Sequence, residues 1–81
     1  MEIKFSSHAL FQIQERRIPK EEVERVIKNP EKVIRKSKYR YIAQGKTKFN
    51  GTTFLLRVVY DKINSEKEIV TVYRTSKLEK Y

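Results

Sequence analysis

The stretch 39-YRYIAQGKTKFNGTTFLLRVVY-60 predicts a β-hairpin, on which the rest of the chain can be arranged. Asn50–Gly51 is a pair typical of two-residue type I′ turns, because both central positions of that turn need a positive φ. A two-residue turn also fixes which residues of the two strands face each other. The expected facing pairs are Phe49 with Thr52, Gln44 with Arg57, Ala43 with Val58, Ile42 with Val59 and Tyr41 with Tyr60.

This register sorts the hairpin side chains onto two faces, because successive residues of a strand point to opposite sides. One face is apolar and should pack on helices; it holds Tyr41, Ala43, Phe54, Leu56, Val58 and Tyr60. The other face should be basic and open, with Arg40, Gln44, Lys46 and Arg57. In the last strand, Val70 and Val72 form the more apolar row. That row leaves Ile69, Thr71 and Tyr73 for the open face.

The residues before the hairpin predict one strand, two helices and a further strand. After a short strand at 2–5, Ser6 or Ser7 supplies a helix N-cap, and the first helix runs to about Arg17. Pro19 starts a second helix, which ends at Asn29–Pro30. The apolar arc of the first helix contains Ala9, Leu10 and Ile13, and that of the second contains Val23, Val26 and Ile27. The predicted fold is therefore α+β: a short N-terminal strand, two helices, then a four-strand antiparallel meander.

Composition narrows the class of protein. Eighty-one residues are expected to form one domain, 1–81. The absence of cysteine excludes disulfides, thiolate catalysis and cysteine-ligated zinc, and a single His and a single Asp make a metal site or a metal cofactor unexpected. No apolar run of membrane-spanning length is present, so we expect a soluble, cytoplasmic protein. The charged fraction of 36% is typical of thermophile proteins.

The net charge of +9 is the strongest global feature, and the excess of Lys and Arg lies mainly in the second half of the chain. This asymmetry favours a polyanionic partner, either nucleic acid or an acidic protein. Cleavage of RNA needs no metal when the 2′-hydroxyl is the nucleophile. The protein then supplies a base, an acid and cations, for which His, Arg, Lys and Tyr suffice. His8, the only histidine, is either such a group or an ordinary residue of a helix start.

Short motifs spread over nearly the whole chain carry a resemblance to a known family. They are His8–Ala9, Glu15–Arg16, Ile18, Glu21–Val23, Pro30 and Thr71–Tyr73. In this order they resemble an uncharacterised bacterial and archaeal domain-of-unknown-function family that is similar to the RelE, ParE and BrnT toxins. Two positions depart from the family pattern: Gln12 stands where relatives often have arginine, and Arg17 stands where they often have glycine.

The resemblance implies a metal-independent endoribonuclease, the toxin of a toxin–antitoxin pair, with RNA and an acidic antitoxin as partners. The implied catalytic residues are His8 as base or acid, Arg16 and Arg57 at the phosphate, and Tyr73 as RNA-positioning group or proton donor. The residues expected to bind RNA are Gln12, Arg40, Lys46, Thr71 and Arg74. Two alternatives stay open: a non-catalytic module that binds RNA or protein, and a toxin that inhibits a protein target.

Overall fold

The computed structural model describes residues 2–78, which form two helices and one sheet. The elements in chain order are β1 (Glu2–Phe5), α1 (Ser7–Glu15), α2 (Lys20–Lys28), β2 (Lys32–Arg35), β3 (Arg40–Phe49), β4 (Thr52–Ile63) and β5 (Glu66–Thr75). The strands are ordered β1-β5-β4-β3-β2 across the sheet. The predicted α+β class is confirmed. No helix in the described part of the chain is long and apolar enough to cross a membrane.

The hairpin has the predicted turn and register. Asn50 and Gly51 have φ values of 51° and 78°, both in the left-handed region that a type I′ turn requires. Phe49 pairs with Thr52, and the ladder continues in the same register as far as Arg40 and Asp61. The local turn chemistry therefore decided the pairing of ten residues on each strand.

The prediction of a four-strand antiparallel meander is wrong for the sheet as a whole. Strands β2 to β5 are antiparallel neighbours, but β1 adds a fifth strand that runs parallel to β5, with Glu2 opposite Glu66 and Phe5 opposite Ile69. Without β1, the outer backbone groups of β5 would lie at an open sheet edge, which proteins commonly cover. The sheet is therefore mixed and five-stranded.

A β-bulge changes the buried row of β5. The register shifts between Val59 and Tyr60, so that Val59 faces Thr71 while Tyr60 faces Ile69. One extra residue, Val70, is accommodated at the shift, and the residues before it change faces. Ile69 is consequently fully buried in the core, and its predicted place on the open face is wrong. Val72 is buried as expected.

Both helices pack on one face of the sheet and close a single core. Its buried members are Ala9, Ile13, Ile18, Val23, Val26, Ile27, Ala43, Leu56, Val58, Tyr60, Ile69 and Val72. Leu10, expected in the apolar arc of α1, is 41% exposed instead. The opposite face is not open at its centre, as the sequence had suggested, since Arg57 is only 6% exposed there and Gln44 beside it is also buried.

Candidate nucleic-acid interface

Side chains of α1 cover the edge of β5 beyond the point where β1 ends. The main-chain N–H of Ser6 donates to the Ile69 carbonyl at 3.0 Å. Further along, the Gln12 Oε1 accepts from the Val72 N–H at 2.9 Å, and the Arg16 Nη1 donates to the Val72 carbonyl at 2.9 Å. Residues four apart on a helix lie on the same side, so the side chains of Gln12 and Arg16 can both reach this edge. They bind the backbone groups of Val72 that a neighbouring strand would otherwise pair with.

This contact explains what Gln12 does in this chain. The Val72 N–H needs an acceptor, and a glutamine side chain carries one, whereas an arginine side chain carries only donors. Gln12 therefore helps to fix α1 against β5. That packing in turn places the C-terminal end of the helix beside the second half of β5.

An open cleft of about 870 Å³ lies where the end of α1, the hairpin turn and β5 meet. The lining residues are Gln12, Glu15, Arg16 and Arg17 from the helix end, Phe49 and Asn50 from the turn, and Thr71, Tyr73 and Arg74 from β5. The cleft follows the edge of β5. It therefore receives side chains from both faces of the sheet, which alternate along that strand.

Arg74 is the best-positioned cation of the cleft. Its guanidinium carbon lies 3.9 Å from the centroid of the Phe49 ring and 5.9 Å from that of Phe54, which is cation–π geometry. One Nη of Arg74 also donates to the Arg16 carbonyl. Burial, and secondly the positive charge of Arg16, lower the pKa of Arg74 from its usual value. Arginine nevertheless stays protonated in proteins, so the fold holds two like charges close together.

Neither Arg16 nor Arg74 forms an ion pair with a carboxylate anywhere in residues 2–78. Two neighbouring cations that form no ion pair with a carboxylate raise the local positive potential, which an anion entering the cleft would relieve. Guanidinium groups bind phosphate and carboxylate strongly through charge-assisted hydrogen bonds. Arg16 and Arg74 therefore have the chemistry and the free donors to accept an anion.

Arg57 lies behind this cleft and does not line it. Its Nε donates to the Gln44 Oε1 at 3.1 Å, and its Nη1 donates to the Tyr73 hydroxyl at 2.6 Å. Tyr73 itself lines the cleft, so the hydrogen bond from Arg57 fixes the position of its hydroxyl group. The predicted phosphate cation Arg57 is therefore a buried supporting residue, while the half-buried Tyr73 is the one that lines the cleft.

Of the nine predicted site residues, five line the cleft, Arg57 lies behind it, and three others lie elsewhere. Gln12, Arg16, Thr71, Tyr73 and Arg74 line the cleft. His8 is exposed in the first turn of α1, about 12 Å along the helix axis from Arg16 at the usual rise per residue. The N-cap of that helix is Ser6, whose hydroxyl accepts from the Ala9 N–H at 3.0 Å.

Two of the predicted RNA-binding cations also lie away from the cleft. Arg40 pairs with Asp61 at 2.8 Å, at the end of the hairpin opposite the turn. Lys46 is exposed next to Glu22 and Arg25, and its carbonyl accepts from the Arg25 Nη2 at 2.7 Å. Alternation along β3 placed both residues on the expected strand face. It could not show that neither residue lines the cleft.

Sequence reasoning missed four lining residues: Glu15, Arg17, Phe49 and Asn50. Glu15 was visible as part of the Glu15–Arg16 motif, and Phe49 and Asn50 as part of the hairpin turn, but neither signal indicated a site. Arg17 has the clearest local peculiarity, because its φ of 53° lies in the left-handed region. There it ends α1 with the two hydrogen bonds of a Schellman motif, from Arg17 N–H to Gln14 and from Ile18 N–H to Ile13.

Glycine is the usual residue at that position of a Schellman motif, because a Cβ is strained at positive φ. Replacing Arg17 by glycine is therefore expected to raise the free energy of unfolding by about 0.5–1 kcal/mol, measured by urea denaturation. Gln14→Gly, at an exposed helical position with ordinary φ, is the matched control and should lose about 1 kcal/mol. Equal destabilisation by both changes would contradict the strain at Arg17.

Fold and site together define the class: a small α+β domain with a cationic, aromatic cleft at one sheet edge. The chain belongs to the family described as Domain of unknown function (DUF4258), whose model matches residues 5–74. Every lining residue of the cleft falls within that match. Searches of curated proteins and of solved structures found no match. Among the described residues, no group of three or more His, Cys, Asp or Glu side chains is placed to hold a metal ion.

Proposed function

We propose that this protein binds single-stranded RNA in the cleft and cleaves it as a metal-independent endoribonuclease. The observation that carries the proposal is the pair of neighbouring guanidinium groups, Arg16 and Arg74, which face the cleft with Arg74 stacked on Phe49. A phosphodiester supplies the anion that this pair lacks. Their planar groups suit the bidentate geometry of phosphate oxygens.

The aromatic groups favour a single strand over a duplex. Proteins recognise unpaired bases by stacking them on aromatic rings or on guanidinium planes, which a base inside a helix does not offer. The Arg74 guanidinium lies against the Phe49 ring, and Tyr73 is the residue before Arg74 in β5. A nucleotide whose phosphate binds Arg16 therefore has surfaces for its base within the same cleft.

Cleavage of the bound RNA is supported by the types of side chain in the cleft. The cleft provides cations for the negative charge that develops on the phosphoryl oxygens, and a phenol, Tyr73, that carries a transferable proton. The proposal includes a toxin role and action in the cytoplasm, which follow from the resemblance in the order of the motifs. It also includes an acidic antitoxin as partner, which the net charge of +9 favours. A non-catalytic RNA-binding module is the alternative, and it would bind RNA without cleaving it.

RNA affinity should depend on salt, because each bound phosphate releases counterions from the strand. With two to three contacts from the cleft arginines, log K should fall by about 1.4–2.1 per tenfold increase in salt. Fluorescence anisotropy of a short, unstructured, labelled RNA in EDTA measures this slope, and gel analysis of the same samples measures cleavage. An RNA affinity that does not change with salt would contradict RNA binding at the cleft. RNA that stays intact at saturating protein would contradict cleavage and favour the non-catalytic RNA-binding module.

A further inference from the structure

We propose that Glu15 is the general base of this cleft; the inference rests on the proposed ribonuclease function. Glu15 is the one carboxylate among the residues that line the cleft, where it shares the lining with three arginines and Tyr73. Its side chain is exposed, and within residues 2–78 it forms neither an ion pair nor a hydrogen bond. A carboxylate with no internal partner beside Arg16 and Arg74 is available to a ligand.

The position of Glu15 on its helix has no structural benefit. It is the last residue of α1, where the helix dipole presents negative charge and disfavours a carboxylate. The last turn contains no basic residue to compensate. Glu21 and Glu22 differ in this respect, since they lie in the first turn of α2, where the dipole favours them. The charge of Glu15 is therefore better explained by chemistry in the cleft than by folding.

The reaction balances with groups of the cleft alone. The Glu15 carboxylate takes the proton from a ribose 2′-hydroxyl, and the 2′-oxygen forms a bond to the adjacent phosphorus. The bond from phosphorus to the 5′-oxygen of the next nucleotide breaks, and that oxygen takes the Tyr73 phenol proton. The products are a 2′,3′-cyclic phosphate and a 5′-hydroxyl, and solvent returns the proton from Glu15 to Tyr73. Arg16 and Arg74 stabilise the charge on the phosphoryl oxygens.

Tyr73 is oriented for the donor role. Its oxygen accepts a hydrogen bond from the Arg57 Nη1 at 2.6 Å, which leaves its own hydrogen free to point elsewhere. His8, the base that the sequence suggested, lies about 12 Å along α1 from Arg16, whereas a general base must lie within hydrogen-bonding reach of its proton.

Glu15→Gln is the decisive variant, because it keeps size and polarity but removes the base. In EDTA under single-turnover conditions, we expect its RNA cleavage rate to fall by about 10²- to 10⁴-fold. Its RNA affinity should be unchanged or tighter, since a negative charge has left the cleft. Glu21→Gln, an exposed glutamate on α2, is the matched control and should cleave as the wild type does. His8→Ala, assayed alongside, should also retain cleavage.

The outcomes separate this inference from the function on which it rests. If the wild type cleaves RNA and Glu15→Gln cleaves equally well, the assignment of Glu15 is wrong while the ribonuclease stands. If His8→Ala loses cleavage while Glu15→Gln retains it, His8 rather than Glu15 is the general base. If Glu15→Gln loses cleavage only because it no longer binds RNA, Glu15 is a binding residue and the proposal fails. A wild type that binds without cleaving overturns both the enzymatic function and the base.

Discussion

Replacement of Arg57 by alanine is expected to lower the free energy of unfolding by about 2–4 kcal/mol, measured by urea denaturation. The side chain is only 6% exposed and donates hydrogen bonds to Gln44 and Tyr73. Truncation removes a buried cation to which two polar groups are bonded and leaves a void in its place. Small domains are stable by only about 5–15 kcal/mol, so this change is a large fraction of the total.

Arg40→Ala is the control for that measurement. Arg40 belongs to β3, the strand next to that of Arg57, but it is exposed and pairs with Asp61 at the surface. Exposed ion pairs contribute little, so its unfolding curve should nearly overlay that of the wild type. If Arg57→Ala were as stable as Arg40→Ala, Arg57 would lie on an open surface in solution. The sequence alone suggested such a surface, on which removal of Arg57 would leave no cavity.

Arg74→Met is expected to weaken RNA binding by about 10- to 100-fold in the anisotropy assay. A hydrogen bond to a charged group contributes about 1.5–3 kcal/mol, and about 1.4 kcal/mol corresponds to a factor of ten. Methionine keeps an apolar, polarisable side chain against Phe49, and its neutrality relieves the repulsion from Arg16. The melting temperature should therefore change little, and the salt slope should become shallower by about 0.7.

Lys38→Met is the matched control for Arg74→Met. Lys38 is an exposed cation just before β3, and the ten residues of that strand separate it by about 30 Å from the hairpin turn at the cleft. Its loss removes the same charge from the protein without changing the cleft. An equal loss of affinity in the two variants would show that RNA responds to total charge rather than to this site.

The two departures from the family pattern illustrate how local and tertiary information differ. The resemblance led us to expect glycine at the position of Arg17, and the positive φ of that single residue gives the backbone reason for glycine there. The resemblance led us to expect arginine at the position of Gln12, and Gln12 itself was expected to bind RNA. The structure shows instead an acceptor for the Val72 N–H, sixty positions further along the chain. A contact of that sequence separation leaves no trace in the pattern around Gln12.

What the sequence determined by itself was local. The Asn50–Gly51 turn set the register of β3 and β4, Ser6 capped α1, and alternation placed Thr71 and Tyr73 on the face opposite Val72. These features follow from turn chemistry, capping and the period of a strand, which act within a few residues. They made the α+β class predictable.

Only the tertiary structure decided which of those residues share a site. The parallel pairing of β1 with β5, the bulge near Ile69 and the docking of α1 all join segments more than fifty residues apart or shift a register without a sequence signal. Such pairings depend on which backbone edges need a partner and which side chains fill the core. For that reason the cleft gained Glu15 and Phe49, while His8 and Arg40 were left outside it.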